Sequence, residues 1–118
     1  MAWLVRGADV LCAVEVAETP AERLRGLLGR DRLEGALLLP RCRSVHTLGM
    51  RFAIDVAFLG RRGRVVALVA PMRRWRVGRT RFRASSVLEA EAGQFDRWGL
   101  AVGDVLEVTE AAAPAAPK

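Results

Sequence analysis

His46-Thr47-Leu48-Gly49-Met50-Arg51-Phe52-Ala53-Ile54-Asp55-Val56-Ala57-Phe58-Leu59-Gly60 is the stretch on which the fold turns. Phe52, Ile54, Val56 and Phe58 alternate, and a period of two marks a strand with one face on a core. Arg51, Ala53, Asp55 and Ala57 take the other side. The alternation predicts the longest strand of the chain. Gly60-Arg61-Arg62-Gly63 reads as a turn and residues 64–70 as the returning strand, which together make the clearest hairpin.

On the N-terminal side, residues 3–5 and 10–16 flank the polar turn Arg6-Gly7-Ala8-Asp9, and Val10, Cys12, Val14 and Val16 fall on one face. This is a second hairpin signal. Thr19-Pro20-Ala21-Glu22 reads as a helix start, with Thr19 as N-cap, Pro20 at the first helical position and Glu22 closing a capping box. Leu24, Leu27 and Leu28 form its apolar stripe, and Gly29 is placed to end it. Residues 36–39 read as a buried strand stopped by Pro40, with a loop to residue 44.

On the C-terminal side, residues 71–83 hold Trp75 and Gly78 without periodicity and read as an ordered, basic connection. Residues 86–90 form a strand, residues 93–99 have room for a helical turn, Gly103-Asp104 is a tight turn, and residues 105–108 close the fold. Residues 111–118 read as a disordered tail behind one domain over residues 1–110. Many short strands, turn glycines and little helix predict a mainly β fold. The expected architecture is a compact antiparallel β-sandwich or open barrel with one or two short helices. A doubly wound α/β fold needs alternating helices that this pattern lacks.

The 118 residues suffice for a single core that removes about two thirds of the unfolded surface from water. Hydrophobic residues make up 52% and charged residues 27%, a globular balance, and no apolar run approaches the roughly 20 residues of a membrane span. Arg6 and Asp9 interrupt the apolar N-terminus, so it reads as a strand and the chain as cytoplasmic and unprocessed. Cys12 and Cys42 lack CxxC spacing and are expected to be reduced and mostly buried. The net charge of +6 comes from 19 basic against 13 acidic residues, and Lys118 is the only lysine. Half of the arginines lie within residues 61–83, among them Arg61, Arg62, Arg64, Arg73, Arg74 and Arg76. Guanidinium forks suit phosphates and acidic partners. Without a nucleic-acid motif, the cluster reads first as arginine filling solvated positions in an Ala-rich, Lys-poor chain, so nucleic acid is not the expected partner.

Several blocks taken together resemble a known family, domain of unknown function 192. They are Arg23-Leu24-Arg25-Gly26-Leu27-Leu28-Gly29-Arg30, the strand after it, the segment from His46 to Gly60, Gly63-Arg64-Val65-Val66, Val87-Leu88-Glu89-Ala90-Glu91-Ala92-Gly93 and Gly99-Leu100-Ala101-Val102-Gly103-Asp104. They occur in the family's order over roughly residues 15–108. The resemblance implies a compact β-sandwich-like fold and a family without an assigned activity. Members of the family often carry Trp-Met-Lys-Asn-Thr where this chain has His46-Thr47-Leu48-Gly49-Met50-Arg51, which makes the histidine a subgroup feature. Members also tend to carry an export signal.

Three chemistries are open to these residues. Asp55 sits in an otherwise apolar strand and must find a partner or bear a desolvation cost of several kcal/mol. Glu89 poses the same problem, and His46, Arg51, Asp55 and Glu89 are expected either to line a cleft for a small polar ligand or protein partner, or to tie loops to the sheet. Cys42 is a candidate nucleophile with His46 as base and Asp55 or Glu89 as orienting acid, as in a small hydrolase or transferase, although no glycine elbow or oxyanion hole surrounds it. One histidine and two distant cysteines are too few for a zinc site, so neither metal nor cofactor is expected. The leading expectation is a binding or accessory domain rather than an enzyme.

Overall fold

In the computed structural model, which describes residues 1–110, the strands are β1 (Ala2–Arg6), β2 (Asp9–Val16), β3 (Ala36–Pro40), β4 (Ile54–Leu59), β5 (Val65–Met72), β6 (Ser86–Glu91) and β7 (Glu107–Thr109). Two short helices, α1 (Pro20–Arg25) and α2 (Gln94–Trp98), complete the mainly β architecture. The tail read over residues 111–118 lies outside the described residues. All seven strands form one sheet in the order β5-β4-β6-β3-β2-β1-β7. Every neighbouring pair is antiparallel except β2 and β3, which run parallel. A parallel pair needs a crossover rather than a tight turn, and the segment carrying α1 supplies it.

The sheet curls until its outer strands approach each other. Arg64 and Val105 make an isolated bridge, Val65 N–H donates to Asp104 O at 2.8 Å, and Leu106 N–H donates to Gly63 O at 2.9 Å. No ladder joins β5 to β7, so the sheet stays open. Gly63 makes the approach possible. Its φ is +76°, and a Cβ there would collide with Leu106 O.

The hydrophobic core has two parts, one on each face of the sheet. Ile54, Val56, Phe58 and Val87 point to one face, where Leu27, Leu33, Val45 and Met50 cover them. Ala57, Leu59, Leu88 and Ala90 point to the other, against Leu4, Phe95 and Leu106. Every residue of β4 is therefore buried. A strand covered on both sides reads as a nearly continuous apolar run. The strand also starts later than the alternation suggested, because residues 46–53 form a loop with a turn at Thr47–Met50. With six residues β4 is shorter than β2 and β5, which have eight each.

The helix α1 begins as its sequence requires. Thr19 Oγ1 accepts from Glu22 N–H at 3.1 Å and donates to the Glu22 carboxylate at 3.0 Å. It ends at Gly26 (φ 49°) rather than Gly29. Leaving the helix there turns Leu27 into the core, while Leu24 stays 81% exposed, so the expected three-leucine stripe does not form.

Candidate functional site

Asp55 and Glu89 sit almost opposite each other on paired strands, Asp55 facing Ala90 and Val56 facing Glu89 in the β4–β6 register. Because side chains alternate, this one-residue offset sends the two carboxylates to opposite faces of the sheet. Asp55, 2% exposed, accepts from Gly93 N–H at 2.9 Å and Phe95 N–H at 3.0 Å. It thus serves as the missing cap of α2, whose N-cap residue is a glycine without a capping side chain.

Glu89 is 4% exposed and has no hydrogen-bond or ion-pair partner among the described residues. Burial pushes its carboxyl up to about 7, because the charged form has lost water and gained nothing in exchange. Gly26 lies over it, close enough that a Cβ there would stand 3.8 Å from Glu89 Oε1. Both residues line a cavity of about 60 Å³ between the α1 end and residues 42–50. Cys42, Ser44, His46 and Met50 complete the far wall, and Arg23 to Leu28 the near one.

This wall is held by a residue that no sequence signal singled out. Thr47 is fully buried, and its hydroxyl donates to Arg73 O at 2.6 Å while accepting from Arg76 N–H at 2.9 Å. Its own N–H donates to Arg76 O, Gly78 N–H donates to Val45 O, and His46 pairs with Val77. These bonds clip residues 45–47 against residues 73–78. A buried threonine between two exposed neighbours is a weak hint at best.

The structure brings Cys42, His46 and Glu89 to one cavity and leaves Asp55 and Arg51 out of it. Arg51 is exposed and pairs with Asp31 at 2.9 Å. His46 is exposed at the rim, and its Nδ1 accepts from Leu48 N–H at 3.2 Å, which places the proton of the neutral ring on Nε2. Cys42 is half-buried and its thiol donates to Ser44 O at 3.1 Å. Thiol and imidazole are thus each engaged with nearby backbone and not with each other. The other free thiol, Cys12, is pushed up to about 12 by burial. Among the described residues, no group of three or more His, Cys, Asp or Glu side chains is placed to hold a metal ion.

The arginines divide along β5. Arg61, Arg62 and Arg64 cluster before its first residue and Arg73, Arg74 and Arg76 after its last, roughly 25 Å apart at strand rise. Arg74 Nε donates to Met50 O at 2.9 Å, so part of this set braces the cavity loop.

The family model described as uncharacterized ACR matches residues 3–108. The chain belongs to this family, DUF192. No curated protein matches it significantly. Two solved structures share the fold of this DUF192 domain, each with a TM-score of 0.76. One is a protein of unknown function from Novosphingobium aromaticivorans, 23% identical, with 90% of this chain and 82% of that chain covered. The other, from Sinorhizobium meliloti, is provisionally named a transcription regulator; it is 21% identical, with 91% of each chain covered. Within the described residues of this DUF192 domain, no helix is long and apolar enough to cross a membrane.

Proposed function

We propose that this DUF192 domain is a binding module that receives a small, donor-bearing polar group, best a protonated amine, in the cavity floored by Glu89. The observation that carries this reading is a buried carboxylate facing that cavity with no partner of its own. An unpaired buried charge is expensive, and a cationic donor would supply the missing interaction. A volume of about 60 Å³ suits an ammonium or methylammonium head rather than a drug-sized molecule. The group can belong to a small ligand or to the side chain of a protein partner.

A second reading, covalent chemistry at Cys42, is favoured by Cys42, His46 and Glu89 sharing the cavity. The hydrogen bonds of the thiol to Ser44 O and of the imidazole to Leu48 N–H support binding over it. Titration with methylammonium and with a neutral isostere, followed by the amide resonances of Gly26, Leu28 and His46, tests the binding reading. Saturable shifts with methylammonium at pH 8, absent in Glu89→Gln, are expected. An equal response to the neutral compound, or an unchanged response in Glu89→Gln, would sink it.

A further inference from the structure

Arg74 and the backbone of residues 73–78 brace the wall of the Glu89 cavity, but the arginines further along the segment do not line it, and their chemistry points elsewhere. Residues 56–88 contain nine arginines and no acidic residue. Among the described residues, the ion pairs involve Arg6, Arg30, Arg32 and Arg51, and none of these nine. A run of guanidiniums without counter-charges is the electrostatic footprint of a polyanion site.

Three of them surround a groove of about 480 Å³ between the outer strand β5 and the segment that follows it. Val66 and Ala67 form its strand side, and Arg79, Thr80, Arg81, Phe82 and Arg83 form the other. The volume matches that of sites for small organic ligands. Phe82 is 81% exposed here, a large apolar ring left in water with nothing covering it. Arg81 is held in place: its backbone N–H donates to Arg43 O at 2.8 Å, and its guanidinium lies 5.4 Å from the Phe58 ring centroid. Its Nε is buried without a hydrogen-bond partner among the described residues.

We propose that this groove binds a nucleotide unit, with its phosphate held by Arg79, Arg81 and Arg83 and its base stacked on Phe82. Arginine forks match phosphate oxygens bidentately, and an aromatic face stacks any base. The same chemistry fits a free nucleotide or one unit of a single strand. Trp75 is exposed as well, and further arginines precede and follow β5 in the sequence.

Fluorescence anisotropy of the whole chain with a labelled single-stranded oligouridylate of about eight nucleotides, and calorimetry with adenosine monophosphate, test this. Arg79→Ala/Arg83→Ala and Phe82→Ala are each expected to weaken binding about tenfold, and the arginine pair to flatten the salt dependence. Arg32→Ala/Arg97→Ala removes the same charge from surfaces outside the groove and is expected to change affinity less than about twofold. Saturable mononucleotide binding with the same variant pattern makes the free nucleotide the ligand; binding of the strand alone makes it the strand. The proposal is overturned if neither ligand binds at low salt, if the control pair loses as much as the groove pair, or if Phe82→Ala has no effect. Capture by phosphatidylserine vesicles without nucleotide binding overturns it in favour of a membrane surface.

Discussion

Two carboxylates of nearly equal burial, one residue apart in the register of β4 and β6, meet opposite fates on the two faces of one sheet. Asp55 finds two backbone donors at the start of α2 and becomes part of the scaffold. Glu89 finds none among the described residues and faces a cavity. Burial alone therefore does not say what an acidic residue is for. What decides it is whether the chain itself supplies the donors: a satisfied carboxylate stabilises, whereas an unsatisfied one costs stability that a proton, a ligand or water must return.

The sharpest way to break the contrast is to remove each side chain in turn. Asp55→Ala leaves two amide donors without an acceptor, that of Phe95 in the core, and is expected to lower unfolding free energy by about 4 kcal/mol in denaturant titration. A loss below about 1 kcal/mol would mean that the α2 start does not depend on it.

Glu89→Gln is expected to act in the opposite direction. The folded carboxyl titrates near 7 against an ordinary value of 4.5, so between these pH values the folded state binds the extra proton. Stability from this group is fully present below about 4.5 and is lost as pH rises through about 7. At pH 8 the glutamine variant should be the more stable by up to about 3 kcal/mol, and its stability should be flatter over that window. An unchanged pH slope in the variant would show that the carboxylate is satisfied in solution.

The smallest expected effect concerns the cover on the Glu89 side. Leu24 is exposed, whereas Leu27 reaches the core, so Leu24→Ser should shift stability by less than about 0.5 kcal/mol. A large loss in thermal unfolding would mean that α1 packs on the sheet through the face predicted from its leucine spacing.

Much of the fold was legible because its signals are local. The hairpin at β1 and β2, the capped entry to α1, the strand that Pro40 ends and the turn at residues 60–63 rest on alternation and turn chemistry a few residues long. The exit from α1 was less legible, since Gly26 and Gly29 both qualify and only the seat of Leu27 in the core chooses between them. The clipping of residues 45–47 by Thr47 joins segments 26 to 29 positions apart and leaves no periodic trace.

For the candidate site, the order of amino acids marks which groups need an explanation: one histidine, two carboxylates among apolar neighbours and a dense run of arginines. Tertiary structure decided their partners. Asp55 is satisfied by amides 38 and 40 residues away, Arg51 by an aspartate 20 residues away, and Glu89 is left beside Gly26 in the lining of a cavity. Periodicity assigns a side chain to one side of its own strand, but what waits on that side comes from other elements. The free energy of a buried charge depends on those distant donors, which no local pattern encodes.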